Sequence, residues 1–366
     1  MHGFFRLGGL AALIVILVGF AAPANVSAAA TVVSQGPAVL LGGVQFVLHS
    51  ERVGQDFLIE VAPPFGPPAV GRRAPAIYAL DGGYGVAGPL GALLGGSGAM
   101  EPSFVISVGY LPVQYGMRDS DLMHLQTRYD GRTFPGGGAA FQAFLLDELR
   151  PFIESRYPVD PTRAVLFGHS EGAIFAANVL AERPDAFAGY LIASPSVWLQ
   201  PDIVERVAKV ASKGAGRRVY LAVGGAEAPA MTDGETGLAH ALSSSASGFV
   251  VKSHVYSAAR HLTYYAALVP DAFPWLLPPT PPVKTDARTL QAHAGDYRLP
   301  DGRIVTFRRR GDQFFLQLPG YAQRELVART DDAFALDSEP GEARFQSGRA
   351  VSLRALGVDA VAVRVR

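Results

Sequence analysis

The sequence has 366 residues, of which 49% are hydrophobic and 17% are charged, a balance typical of a globular chain that buries a large core. Basic and acidic residues number 32 each, so the formal net charge is zero and no nucleic acid is expected as a partner. The lack of cysteine excludes disulfides, thiol catalysis and lipid attachment through a thiol.

Residues 1–28 have the pattern of a secretory signal peptide. Arg6 supplies a positive start, residues 7–22 form an apolar core, and Val26-Ser27-Ala28 offers a cleavage site with small residues at its ends. An uncleaved anchor is the alternative, but the apolar run is shorter than the ~20 residues that span a bilayer comfortably. We expect cleavage after Ala28, a periplasmic or secreted protein, and a mature chain without a stable membrane span; the oligomeric state stays open.

Residues 35–278 alternate β-rich apolar runs with helical patterns. Two early strands followed by strand–helix alternation predict the α/β class, with a mostly parallel central sheet covered by helices on both faces. The candidate strands are Val44–His49, Phe57–Ala62, Pro75–Leu80, Phe104–Tyr110, Arg163–Phe167, Gly189–Ala193, Val219–Val223 and Phe249–Tyr256.

A proline-rich linker is predicted over residues 279–286, and a different pattern follows it. From 287 to 366, short alternating segments separated by turn residues predict a small antiparallel β-sheet or barrel domain without a helix. The segments are Asp296–Leu299, Ile304–Arg308, Gln313–Leu318, Arg324–Val327, Ala333–Leu336, Ala350–Leu353 and Ala360–Val365.

The pentapeptide Gly168-His169-Ser170-Glu171-Gly172 lies between an apolar run and a helical pattern. Gly-x-Ser-x-Gly in that setting is typical of the nucleophile elbow of α/β-hydrolases, a strained turn that presents the serine. A serine that caps a helix after a buried strand would show a similar local sequence. An acid and a histidine follow in the order that this fold uses, which favours Ser170 as a nucleophile.

The predicted acid and base follow two later strands. Glu227 comes directly after the strand over 219–223, and strand ends present the site residues of this fold. Asp233 and Glu235 are alternatives, although they resemble first-turn residues of the next helix. His261 follows the last strand of the region and is the predicted base. Because the histidines lack the spacing of a metal site, we expect neither a metal nor a cofactor.

Two backbone amides are expected to stabilise an oxyanion. One belongs to Glu171, and the other to the loop that contains Gly82 and Gly83, for which an ordinary Asp-Gly turn is the alternative. Tyr84, Arg118 and Trp198 are candidates to line an acyl or aryl pocket, with a scaffold role as the alternative for each.

Taken together, several motifs within residues 44–278 resemble the putative-esterase family of α/β-hydrolases, especially its branch of siderophore-trilactone esterases. The motifs are Leu80-Asp81-Gly82, Val108-Gly109-Tyr110, Arg118 with Asp121-Leu122, the helix Phe144–Tyr157, Val159-Asp160, the elbow, Ser194-Pro195-Ser196 with Trp198, Glu227 and His261. The resemblance implies an α/β-hydrolase fold, a Ser–acid–His triad of Ser170, Glu227 and His261, and hydrolysis of carboxylic esters. The C-terminal region resembles the small lipocalin-like β-domain appended to some bacterial serine hydrolases, through Gly295-Asp296-Tyr297, Gln313–Gln317, Phe334 and Phe345.

Three functions remain open at this point. The first is an exported serine hydrolase that cleaves a small-molecule ester through an acyl-enzyme, siderophore-type lactones included. The second is an acyltransferase on the same triad, which motifs cannot distinguish from a hydrolase. The third is a non-catalytic binding protein of the cell envelope, which the three filled triad positions disfavour.

Overall fold

The computed structural model describes residues 43–64, 73–244, 247–279, 281, 283–337, 341–347 and 349–365. The predicted signal peptide lies outside these residues, as do positions 280 and 282 of the predicted linker. No helix in the described part of the chain is both long enough and apolar enough to cross a membrane.

Strands and helices alternate over the first part of the chain. The strands are β1 (Val44–Ser50), β2 (Gln55–Ala62), β3 (Ala74–Leu80), β4 (Phe104–Tyr110), β5 (Thr127–Tyr129), β6 (Arg132–Phe134), β7 (Val159–His169), β8 (Gly189–Ala193), β9 (Arg218–Gly224) and β10 (Val250–Tyr256). The α-helices are α1 (Ala87–Gly96), α2 (Arg118–Asp121), α3 (Gly138–Ala143), α4 (Arg150–Arg156), α5 (Glu171–Glu182), α6 (Ile203–Val210), α7 (Pro229–Leu242) and α8 (Tyr265–Leu276), with a π-helical turn over Phe144–Leu149 between α3 and α4.

The central sheet has the strand order β1-β2-β4-β3-β7-β8-β9-β10. Its strands are parallel from β4 to β10, and β2 pairs antiparallel with both β1 and β4. The mostly parallel α/β sheet predicted from the sequence is confirmed. Since parallel strands end at the same edge of a sheet, the loops after β3, β7, β8, β9 and β10 meet there.

Apolar side chains cover both faces of the sheet. All seven residues of β3 are buried, as expected for a strand between two layers of helices. On one face Phe57 stacks on Phe144 with 4.3 Å between ring centroids, and on the other Phe167 contacts Phe273. Two separate clusters of buried side chains thus fix the sheet from either side.

The C-terminal region forms a closed antiparallel barrel of eight strands within the described residues, which confirms the predicted small β-domain. Its interior is filled with aromatic and aliphatic side chains, including Phe307, Phe314, Phe334 and Phe345. The barrel is therefore a packed core. The strands are β11 (Gly295–Arg298), β12 (Ile304–Arg310), β13 (Gln313–Gln317), β14 (Arg324–Ala328), β15 (Ala333–Leu336), β16 (Gly341–Gln346), β17 (Ala350–Ala355) and β18 (Val358–Arg364).

The prediction that this region has no helix is wrong. Helix α9 (Ala287–His293) begins after Asp286, whose carboxylate accepts a hydrogen bond from the backbone N–H of Thr289 with 2.7 Å between the atoms. Leu290 and His293, three residues apart, are buried, and the His293 ring stacks on Phe345 of the barrel core. A side-chain cap and packing on the barrel stabilise a helix too short to show a periodic pattern.

Candidate active site

Ser170 lies on the sharp turn between β7 and α5, with φ 60° and ψ −117°. Such a backbone is costly for a residue that carries a Cβ, and it places the half-buried serine at the carboxyl edge of the sheet. A Cβ on Gly168 would lie 1.9 Å from the carbonyl oxygen of Gly172, so the turn closes only with glycine at that position. The local geometry is that of the predicted elbow.

Glu227 and His261 meet above the ends of the neighbouring strands β9 and β10. Nδ1 of His261 lies 2.6 Å from Oε2 of Glu227. A carboxylate can only accept, so Nδ1 carries the proton and Nε2 keeps a lone pair. The alternative acids lie elsewhere: Asp233 and Glu235 belong to α7, and Glu235 accepts a hydrogen bond from Ser253.

Glu227 is held on both of its oxygens. Its side chain is 2% exposed, and Oε1 accepts hydrogen bonds from the Gly224 backbone N–H at 2.7 Å and from Ser194 Oγ at 2.6 Å. Burial alone would raise the pKa of Glu227, but the hydrogen bonds from His261, Ser194 and Gly224 outweigh it and lower that pKa. The carboxylate is therefore ionised beside the imidazole at neutral pH.

The hydroxyl of Ser170 points toward another serine. Its Oγ lies 3.4 Å from Oγ of Ser196, and within the described residues no hydrogen bond joins Ser170 to His261. His261 is 38% exposed and bonds the protein through Nδ1 and its backbone carbonyl, so Nε2 faces outward from the Glu227 pair. Catalytic hydrogen bonds are often open in the absence of substrate.

His169, which precedes Ser170, lies beneath the histidine loop. Its Nε2 bonds the backbone carbonyl of His261 at 2.8 Å, and its ring is 98% buried next to that of His261. Burial, with His261 nearby, lowers the pKa of His169 to about 4. His169 is thus a neutral residue that packs against the loop of His261.

The predicted oxyanion loop has a left-handed backbone throughout. Asp81, Gly82, Gly83, Tyr84 and Gly85 all have φ between 50° and 68°. The loop lies against the elbow, since a Cβ on Gly172 would be 3.3 Å from Asp81 Oδ2 and 3.5 Å from Leu80. An ordinary two-residue Asp-Gly turn does not have five successive residues in this region. The loop thus lies beside the N-terminus of α5, which begins at Glu171.

Arg118 joins these two segments. Its guanidinium forms a bidentate pair with Asp81, Nη2 donating to Oδ2 at 2.8 Å, and Nη1 donates to Glu171 Oε2 at 2.7 Å. The three side chains are 11%, 4% and 15% exposed, respectively. Burial alone would lower the pKa of Arg118, but the two carboxylates raise it. The structure places Arg118 as a link between the two candidate oxyanion segments, with all of its hydrogen-bonding edge facing Asp81 and Glu171.

Tyr84 and Trp198, the other two candidate pocket residues, lie on different loops. Tyr84 is 40% exposed, and its ring contacts those of His169 and Tyr265. Trp198 is half-buried two residues after Ser196, and its ring centroid lies 6.4 Å from that of Tyr129. Tyr84 thus has an exposed surface beside the elbow, whereas the ring contact of Trp198 is with the β5–β6 hairpin.

Three contacts of the site were not predicted. Ser194 and Tyr264 lie behind Glu227, and Ser196 lies beside Ser170. Ser194-Pro195-Ser196 follows the end of β8 at the same sheet edge, which is the sequence signal that could have assigned these serines to the site. Among the described residues, no group of three or more His, Asp or Glu side chains is arranged to hold a metal ion.

Comparison with known proteins identifies the family. The sequence profile of the family described as "Putative esterase" matches residues 50–276, more than half of the chain. Ferri-bacillibactin esterase BesA of Bacillus subtilis is 35% identical over 116 residues, which cover 29% of this chain and 40% of that protein. The siderophore triacetylfusarinine C esterase of Aspergillus fumigatus is 29% identical over 172 residues, which cover 44% of this chain and 58% of that protein. The chain thus matches less than two thirds of the length of either relative.

Solved structures share the fold. The BES protein of Bacillus cereus superposes with a TM-score of 0.61 at 23% identity, covering 68% of this chain and 99% of that one. An IroE-like serine hydrolase of Shewanella oneidensis gives a TM-score of 0.58 at 20% identity, and the match covers 64% of this chain and 80% of that one. At these identities the likeness concerns the fold alone.

Proposed function

Since this chain belongs to the putative esterase family, we propose that it is an exported serine hydrolase that cleaves carboxylic esters through an acyl-enzyme intermediate. Ser170 is the nucleophile, His261 the general base, and Glu227 the carboxylate that orients it. The observation that carries the proposal is the 2.6 Å hydrogen bond between His261 Nδ1 and Glu227, which leaves a lone pair on Nε2 at the sheet edge where the half-buried Ser170 lies.

The chemistry follows from these positions. His261 Nε2 takes the proton of Ser170 while Oγ attacks the ester carbonyl carbon, and the oxyanion accepts hydrogen bonds from the N–H of Glu171 and from the Gly82–Gly83 loop. Collapse breaks the bond to the alcohol, which leaves with the proton from Nε2. Water then attacks the acyl-enzyme in the same way, releasing the acid and restoring Ser170.

We propose that a rotation of the Ser170 side chain completes the triad. Ser170 Oγ now lies 3.4 Å from Ser196 Oγ, and rotation about the Cα–Cβ bond is the movement available to it, because the strained backbone is fixed by the turn. A bound ester that displaces the hydroxyl from Ser196 would turn it toward His261.

We propose siderophore-type lactones as the substrate class. The proposal is supported by the two siderophore esterases named above. Tyr84, with 40% of its surface exposed beside the elbow, offers an aromatic face for an acyl or aryl group. A panel of short-chain, long-chain and catechol-lactone esters tests this part, and preference for simple alkyl esters would contradict it.

Labelling of the purified protein with a fluorophosphonate tests the nucleophile. We expect the wild-type protein and Ser155→Ala, which removes an exposed hydroxyl of α4, to be labelled, and Ser170→Ala to be neither labelled nor active on 4-nitrophenyl esters. Equal labelling of Ser170→Ala would overturn the proposal. N-terminal sequencing of the exported protein tests the predicted cleavage after Ala28.

A further inference from the structure

Ser194 occupies a fixed and strained position behind the acid. It directly follows β8, its backbone N–H donates to the carbonyl of Ala222 in β9 at 2.7 Å, and its φ is 46°. The side chain is fully buried. The sheet therefore fixes the serine from one side, and its Oγ reaches Glu227 Oε1 at 2.6 Å from the other.

The direction of each hydrogen bond in this group is determined. The ionised Glu227 only accepts, so the single proton of the Ser194 hydroxyl is donated to Oε1. Tyr264 OH also contacts Ser194 Oγ. Since the serine proton is already used, Tyr264 must be the donor in that second bond. The result is a chain of donors that runs from Tyr264 through Ser194 to Glu227.

Tyr264 connects this chain to the base. It lies three residues after His261, is 3% exposed, and stacks on Tyr256 with 4.8 Å between ring centroids. The loop that carries His261 thus touches the carboxylate twice, through His261 at Oε2 and through Tyr264 and Ser194 at Oε1. A rotation of the carboxylate would break both contacts.

We propose that Ser194 and Tyr264 are positioning residues of the active site, which hold the Glu227 carboxylate turned toward His261 and partly neutralise its charge. The proposal rests on the proposed function, because it assigns a role relative to the triad. The donors have two consequences: they limit the orientations of the imidazole, and they withdraw charge that would otherwise stabilise the protonated His261.

Two substitutions test the proposal. Tyr264→Phe removes the first donor and keeps the ring, and Ser194→Gly removes the second while tolerating a φ of 46°. With 4-nitrophenyl acetate, we expect kcat to fall about tenfold in each variant, the size expected when a hydrogen bond to a charged group is lost. The acid limb of kcat/KM should shift to higher pH, since the loss of a donor leaves more negative charge on the Glu227 carboxylate that faces the imidazole.

Neither substitution removes any other ionisable group near the triad. These groups are His169 and Glu171 on the elbow, Asp81, Tyr84 and Arg118 beside it, Tyr256 and Tyr265 next to Tyr264 and His169, and Glu235 on α7. The control is Tyr190→Phe, which removes a buried hydroxyl of β8 that bonds the carbonyl of Arg183 away from the triad. It should keep the wild-type kcat and pH profile. Because Tyr264 acts through Ser194, the double variant should be no slower than Ser194→Gly alone.

The outcomes separate this inference from the proposed function. If Ser170→Ala is inactive while Tyr264→Phe and Ser194→Gly keep the wild-type kcat and acid limb, the positioning role is wrong and the triad stands. The positioning role would also be wrong if kcat falls and the melting temperature drops while the acid limb of kcat/KM stays at the wild-type pH. That combination is the signature of a purely structural role. If Ser194→Gly does not fold, Tyr264→Phe decides the question alone, with the fluorophosphonate labelling rate against pH as a second readout.

Discussion

His169 donates a hydrogen bond from Nε2 to the backbone carbonyl of His261, with 2.8 Å between the atoms, and the two imidazole rings lie 4.6 Å apart. Because a carbonyl oxygen can only accept, the proton of neutral His169 is on Nε2. Its Nδ1 is buried and has no partner among the described residues. The residue next to the proposed nucleophile thus supports the loop of the proposed base, and it does so only as long as its own ring stays neutral.

We expect the free energy of unfolding to fall as the pH is lowered through the range in which His169 is protonated in the unfolded chain but neutral in the folded one. Its pKa is about 4 in the fold, lowered by burial and by His261, against an ordinary value of 6.5. Between these two pH values the unfolded chain binds more protons than the folded one. The contribution of His169 to the free energy of unfolding is therefore complete above about pH 6.5 and is lost as the pH falls toward about 4. The full loss is about 3 kcal/mol.

Urea unfolding at about pH 7 and about pH 4.5 measures this effect. His169→Gln, whose amide can still donate to the His261 carbonyl, should lose less stability on acidification than the wild-type protein. The comparison also removes the contribution of Asp121, a buried carboxyl whose pKa is raised to about 6 by burial and which acts in the opposite direction. Identical pH slopes for the two proteins would show that His169 does not titrate as described.

Gly82 and Gly83 form a matched pair within the proposed oxyanion loop. Both have positive φ, 64° and 56°, so alanine is strained at either position by about 1 kcal/mol. A Cβ on Gly82 meets open space, whereas a Cβ on Gly83 would lie 2.7 Å from Cβ of Ala87. Only the second substitution must shift the loop.

We therefore expect Gly83→Ala to lower kcat for a 4-nitrophenyl ester by about 100-fold, the effect of losing one oxyanion donor. Gly82→Ala should stay within about tenfold of the wild-type protein, since it causes strain without a collision. Equal losses in the two variants would mean that the steric contact with Ala87 does not set the position of the loop.

Removing Arg118 should be costly because it leaves two buried carboxylates without their cation. For Arg118→Met we expect the free energy of unfolding to fall by about 3 kcal/mol, together with a loss of activity as the loop of Asp81 and the N-terminus of α5 separate. Adding Glu171→Gln should restore part of the stability by removing one uncompensated charge. Denaturant unfolding and ester turnover measure both effects.

The control for this prediction is Arg132→Met. Arg132 pairs with Asp119 at the surface, where its side chain is 60% exposed, and such pairs contribute about 0.5 kcal/mol. A loss in Arg118→Met no larger than that of the control would indicate that solvent compensates the two carboxylates and that Arg118 is not needed to hold the loops together.

The sequence predicts where the candidate site residues lie when that placement depends on strand order. Ser170, Glu227 and His261 each follow the end of a strand, and parallel strands bring such positions to one edge whatever the details of packing. Ser194 has the same placement, but its role depends on a hydrogen bond to Glu227 across two loops, and no spacing in the chain encodes that contact. The environment of Arg118 was missed for the same reason, since its partners are 37 and 53 residues away.

In the barrel, the sequence does not predict the elements whose hydrophobic pattern is very short. Strand β16 (Gly341–Gln346) buries only Ala343 and Phe345, and an alternation over two apolar residues is too short to predict a strand. Its pairing with β15 and β17 provides the stability that its own composition lacks. Helix α9 likewise forms because Leu290 and His293 pack on a barrel that is completed by later residues.

Phe345 lies at the centre of the barrel core, and its substitution tests whether the barrel stabilises the proposed active site. Its ring contacts those of His293, Phe307 and Phe334, and the barrel side chains form a cluster separate from the two that cover the central sheet. For Phe345→Ala we expect the barrel to lose about 4 kcal/mol, the cost of a large cavity, while ester turnover at 25 °C stays unchanged. Phe315→Ala, on the half-buried outer face of β13, is the control and should change neither quantity measurably. Limited proteolysis would measure unfolding of the barrel, and hydrolysis of a 4-nitrophenyl ester would measure the activity of the proposed site. A parallel decline of both signals in Phe345→Ala would mean that the two cores fold as one cooperative unit, so that the barrel is required for catalysis.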